Sequence, residues 1–227
     1  MEKEAGLLIY ELKISLTIYK IFYAVFFVVI LSLVRGVTYS EEIGIVLEGP
    51  MAILAISFCA DTCTQEMVSR RSEIQRLYPM KKRLHSVYKR LVIQTLFLLF
   101  VAAAGYGLFF LFQDPGTGRN FFEDEWQLFL IFFAAIVVTL GFWGLLSNLF
   151  SCLFQNMWAG IGVCLMLWLM TNSSFGNRYF GAWNLFSYTF RSLENNSDFS
   201  WICGKIVCIC IGIMAAAALP KIIEKRG

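Results

Sequence analysis

Charge is scarce in this chain. Lys, Arg, Asp and Glu supply 15% of its 227 residues, while hydrophobic residues supply 58%. A soluble domain carries about a quarter charged residues, so there is too little polar surface here to coat a globule in water. The mean hydropathy of +0.66 agrees. Histidine is nearly absent: His85 stands alone, which removes the His pairs and Ser-His arrangements of intramembrane hydrolases and undercuts most metal sites. No phosphate-binding loop is present either. The single Gly-Lys, Gly204-Lys205, is followed by Ile206 and has Phe199 where the first Gly of such a loop would stand, so the chain is not expected to be an enzyme by itself.

Seven cysteines are an odd number, and Cys152, Cys164, Cys203, Cys208 and Cys210 sit in apolar runs. That placement suits small buried hydrophobes and not a disulfide framework. Cys59 and Cys63 share a helical face at i,i+4, but no Cys-x-x-Cys spacing or histidine accompanies them, so no metal site and no catalytic residue is expected.

What the chain does hold is apolar runs between charged punctuation. They give six spans, at about 14–34, 43–63, 91–112, 128–146, 150–170 and 201–219. At about 20 residues per crossing, six spans take up most of the chain and leave no soluble domain. The first reaches membrane length only if Lys20 snorkels to the interface. Ser147–Asn156 reads as a short polar turn pairing spans four and five. Pro220 with Lys221 ends span six. Ahead of the spans, residues 1–13 alternate charges with Leu7, Leu8, Tyr10 and Leu12, a pattern for an interfacial helix. Met1-Glu2-Lys3-Glu4 is not the basic start of a signal peptide.

The basic residues set the orientation. With both termini cytoplasmic, 14 of the 19 Lys and Arg fall inside with seven acids, and five fall outside with nine acids. The inner side is then +7 and the outer side −4, as the positive-inside rule requires. The expected fold is all-α: one polytopic transmembrane domain over 1–227 with six helices and both ends inside.

Residues 64–90 form the basic inner loop. Met67, Ile74 and Leu77 recur at helical spacing and Glu66–Arg70 is a favourable i,i+4 pair, so a surface helix broken at Tyr78-Pro79 is expected. Such a loop can simply hold topology and bind anionic lipid. It can also dock a cytoplasmic partner, since an anchor needs cations but not an amphipathic helix of defined length.

Here the sequence resembles a known family. An acid after span two, a basic cluster, a Leu and a Pro ahead of further cations, as in Glu66, Arg70, Arg71, Glu73, Arg76, Leu77 and Pro79 followed by Lys81–Arg83, resembles the first cytoplasmic loop of ABC-2 type permeases. Ser72 stands where that family often has Gly. The resemblance implies that these residues form a coupling helix seated in a separate cytoplasmic ABC ATPase subunit, which supplies ATP and Mg. It also implies a second permease subunit, making a homodimer or heterodimer, and a place in the bacterial inner (plasma) membrane, with lipid but no nucleic acid as further partners. The cargo suited to Phe-rich walls is amphipathic or hydrophobic: a peptide, drug or lipid. An intramembrane enzyme or a proton-coupled carrier is the alternative.

In that family a re-entrant segment joins spans five and six. Residues 171–200, with Phe175, Tyr179, Phe180, Trp183, Phe186, Tyr188 and Phe190, suit half-inserted short helices, or a loop packed on its own protein. Glu48, beside Gly49 and Pro50, either lies within span two, where a carboxylate is a functional residue of the substrate path by default, or belongs to the outer interface with Glu41 and Glu42. Lys205, one turn into span six, is expected to snorkel outward.

Overall fold

The computed structural model describes residues 11–68, 80–115, 123–192 and 198–226. The all-α expectation holds, and the described residues contain no strand. After a helical piece at 11–15 come α1 (Ile18–Val34), α2 (Ser40–Cys59), α3 (Asp61–Val68), α4 (Met80–Gln113), α5 (Glu123–Phe154), α6 (Met157–Thr171), α7 (Ser174–Phe180), a 3₁₀ turn (Gly181–Trp183) and α8 (Trp201–Arg226). Four stretches are long and apolar enough to cross a membrane: Ser40–Thr64, Lys81–Gln113, Glu125–Phe154 and Trp201–Lys225. The pair α6 and α7, bent by 69°, makes a fifth if counted as one broken span, while α1 is apolar but only 17 residues long. Among the described residues the count is thus four or five, with α1 as a shorter sixth apolar helix.

α2 is the most buried of the spans. In its apolar window 72% of residues are buried, against 22% in α8. Pro50 lies inside α2, where its missing N–H leaves the Val46 carbonyl without its usual helical donor. One turn of α6 supports this weak point: the Trp168 indole donates to the Gly49 carbonyl at 3.0 Å. At the end of the bundle where α2 begins, here the upper end, the Gln113 amide gathers α1 by donating to the Ser32 and Arg35 carbonyls at 2.9 Å each. At the lower end Thr62 donates to Gln94 of α4 at 2.7 Å, and Tyr88 donates to the Ala216 carbonyl of α8 at 2.8 Å.

Two boundaries differ from expectation. The polar run Ser147–Asn156 is helical as far as Phe154, and the turn shrinks to Gln155, in the left-handed region at φ 53°, and Asn156, whose side chain caps α6 through the Trp158 N–H at 2.9 Å. Ser147 has no need of a loop because its hydroxyl donates to the Ile56 carbonyl at 2.6 Å inside the bundle. Pro220 does not stop α8, which runs on to Arg226. Leu219 and Ile223, one turn apart, are both buried, and packing of that face outweighs the single hydrogen bond that a proline removes.

The bend after α6 has a local cause. Ser173 caps α7 by accepting from the Gly176 N–H at 3.3 Å, and a Cβ on Gly176 would come within 2.5 Å of the Met170 carbonyl oxygen and 2.7 Å of that of Thr171. Only glycine lets α7 fold back so tightly on the end of α6.

Candidate functional site: a buried charge centre

Glu48 is fully buried in the middle of α2. Its carboxylate points into the bundle and collects three partners from three elements. Its Oε1 accepts from Lys205 Nζ of α8 and from Thr139 Oγ1 of α5 at 2.9 Å, and its Oε2 accepts from Thr189 Oγ1 of the 184–191 segment at 2.5 Å. The Thr139 hydroxyl has one proton to give, so the Ala135 carbonyl, 3.0 Å away, competes with Glu48 for it.

Lys205 does not snorkel outward. Only 3% exposed, it spends its three ammonium protons on Glu48, on Thr139 Oγ1 at 2.9 Å and on the Leu185 carbonyl at 2.9 Å. The reason is Glu48. A carboxylate across the core, with a full set of acceptors, offsets the loss of water that would otherwise drive the lysine to the surface. Four segments therefore meet at one ion pair: α2, α5, α8 and the connection that follows α7.

Lys20 corrects a second expectation in the same way. It is 2% exposed and turns inward to Asp61 at 2.5 Å and to the Phe58 carbonyl at 2.9 Å, with its ammonium 5.1 Å from the Phe58 ring centre. α1 is thus tied to the junction of α2 and α3. A third buried pair joins Glu11 to Arg90 Nε at 2.5 Å, with Ser86 donating to the same carboxylate at 2.7 Å. Glu11 belongs to the stretch 1–13; it is buried, and its carboxylate grips α4.

Residues 69–79 lie outside the described part of the chain, and with them Arg70, Arg71, Glu73, Arg76, Leu77 and Pro79. Glu66 is in α3, though its side chain lies outside the described residues. The root of that segment is well anchored: α3 meets α1 through Asp61, α4 through Thr62, and α5 through Cys63, whose Sγ lies 2.8 Å from Cys152 Sγ. His85 is exposed on α4. Among the described residues no three His, Cys, Asp or Glu side chains gather as metal ligands.

Chemically the Glu48 centre is saturated. Every donor of Lys205 and both oxygens of Glu48 are engaged, so it can hold two charges in a dry interior and fix the elements that carry them. Sequence reasoning singled out Glu48 but missed Lys205, Thr139 and Thr189. One signal was available: Lys205 and Glu48 are opposite charges each enclosed in an apolar run.

No family model, no curated protein and no solved structure matches this chain.

Proposed function

We propose that the chain is the membrane subunit of a transporter driven by a separate cytoplasmic ATPase, a permease of the ABC-2 kind, working as a pair of subunits in the cell membrane and exporting an amphipathic or hydrophobic cargo. The observation that carries this reading is the bent α6–α7 pair, with a segment behind it that is fastened to a buried ion pair from α2 and α8. Broken helices and enclosed charges are costly in a membrane unless they serve a path or a moving part. The layout agrees in order: a short α1, then α2, a basic segment at one end, two long helices, a tight turn, α6, the bent connection, and a last helix.

The arrangement suggests how a partner's motion would travel. A push on the basic segment 69–79 reaches α3, and α3 holds α1, α4 and α5 through Asp61, Thr62 and Cys63. α2 is continuous with α3 apart from Ala60, so the push would be delivered along the helix that carries Glu48.

Purification of the tagged full chain from its native membrane tests the proposal. An ATPase subunit is expected to co-purify, and charge reversal at Arg70, Arg71 and Arg76 is expected to release it and to abolish transport-linked ATP hydrolysis. Absence of any ATPase, together with uptake or efflux that follows a proton gradient and is lost in Glu48→Gln, would instead make the chain a proton-coupled carrier.

A further inference from the structure

Three buried cations each have a carboxylate from another element: Lys20 has Asp61, Arg90 has Glu11 and Lys205 has Glu48. Arg191 does not. It is 8% exposed and its Nε has no hydrogen-bond partner. Among the described residues no acid lies within ion-pair distance of it. Four described acids at this upper end have partners of their own: Glu48 with Lys205, Glu42 with the Thr38 N–H at 3.0 Å, Glu125 with the Ser40 hydroxyl at 3.3 Å, and Asp198 with the N–H groups of Ser192 at 3.5 Å and Ser200 at 2.9 Å. Asp198 is within electrostatic range of the guanidinium but not in contact with it.

What Arg191 does have is orientation. Its guanidinium carbon sits 5.3 Å from the centre of the Tyr188 ring, and Trp201 meets the same ring edge-on at 5.5 Å. The Trp201 indole N–H is also buried without an acceptor. So is the hydroxyl of Tyr106, which lies within electrostatic range of Glu125 as well as of Arg191 and Tyr188. Buried donors that have given up water and gained no acceptor are uncommon in native folds and call for an occupant. Arginine and tryptophan nitrogens can only donate, so the occupant must be an acceptor, and a guanidinium favours one that carries negative charge. Tyr106 also walls a largely apolar groove of about 570 Å³ with Gly107, Phe110, Trp126, Phe129 and the carboxylate-bearing Glu125. Arg191 and Trp201 do not line it, so the groove can take hydrocarbon while an anionic end must stay on the Arg191 side of Tyr106, away from Glu125.

We propose that Arg191, with Trp201 and Tyr106 beside it, forms a binding site for an oxyanion, a phosphate, carboxylate or sulfonate borne on an apolar body. This does not depend on the transport reading, since an oxyanion would be held there whether or not an ATPase drives the chain.

The test uses the full chain, delipidated in a neutral maltoside detergent and followed by thermal unfolding. Phosphatidylglycerol is expected to raise the midpoint by about 5 °C at saturation. Arg191→Met should lose that response while unfolding, without lipid, at or above the wild-type midpoint, because a buried cation with no carboxylate in contact has been removed. Trp201→Phe keeps the ring against Tyr188 and should weaken the response, which provides a reading if the methionine variant does not fold. Sulfate producing the same Arg191-dependent rise would assign the site to a soluble oxyanion instead of a lipid headgroup. A methionine variant that is less stable without lipid yet keeps the full lipid response would overturn the proposal. So would a wild-type chain unmoved by phosphatidylglycerol and by sulfate.

Discussion

Glu48 and Lys205 stand 157 positions apart in the chain and form an ion pair whose side chains are 0% and 4% exposed. Removing one member leaves the other buried without its countercharge, a loss of about 3–5 kcal/mol, whereas replacing both with apolar groups is often neutral. Lys205→Met and Glu48→Leu are therefore each expected to lower the unfolding midpoint sharply, and the double variant to recover most of the loss. A double-mutant cycle on the purified chain measures this. Additive effects of the two substitutions would show that the charges are not coupled.

Gly204, the residue before that lysine, is a point of close approach. A Cβ there would lie 1.9 Å from the Asn184 carbonyl oxygen and 2.9 Å from the Ser187 Cβ. The first of these is backbone and cannot swing away. Gly204→Ala is expected to cost about 1–3 kcal/mol as α8 and the 184–191 segment separate. Increased protease sensitivity of that segment, compared with wild type, is the measurement.

Cys63 and Cys152 bring their sulfurs to 2.8 Å across the junction of α3 and α5. Treatment with diamide, which is reduced as the two thiols join, is expected to yield a 63–152 crosslink. Peptide mass spectrometry of the full chain should find it in wild type and lose it in Cys152→Ser. If the sulfurs pair elsewhere, α3 does not pack on α5 as described.

Asp198 sets the start of α8. The Ser200 hydroxyl and backbone N–H, the latter at 2.9 Å, hold its carboxyl below its ordinary value. A depressed folded-state value means that the stabilisation is complete above the unfolded-state pKa and is lost as pH falls through the folded one. Amides in the first turn of α8 are expected to exchange faster once acid protonates Asp198. Asp198→Asn, which keeps an acceptor oxygen, should flatten that dependence.

How much of this was legible in the sequence follows from what kind of information each feature needs. The all-helical fold, the apolar segments and the unusual connection after residue 171 are local, written in hydropathy and in the density of aromatics. Lys20 and Lys205 were misplaced because a lone cation in an apolar run does not by itself say which acid will reach it. Snorkelling is the default for a lysine near a helix end, and only the approach of Asp61 and Glu48 from other helices reverses it. Ser147 was misread as a turn residue for a similar reason, since its acceptor, the Ile56 carbonyl, is 91 positions away. Arg191 gave no signal at all. An arginine in an outer connection looks solvated, even among aromatics, until its neighbours Tyr188 and Trp201 are seen beside it.

The separation of Glu48 from Lys205 has a consequence for synthesis. The carboxylate leaves the ribosome long before the ammonium that neutralises it, and Thr139 and Thr189 also come later. Through most of translation α2 therefore carries an acid with no countercharge, and it must remain near water or be sheltered until α8 arrives. A chain interrupted before Trp201 would leave that acid without its lysine, and the 184–191 segment without the anchors that Lys205 and the Trp201 carbonyl provide. Arrival of the last helix is what supplies the ammonium that joins Glu48, Thr139 and the Leu185 carbonyl.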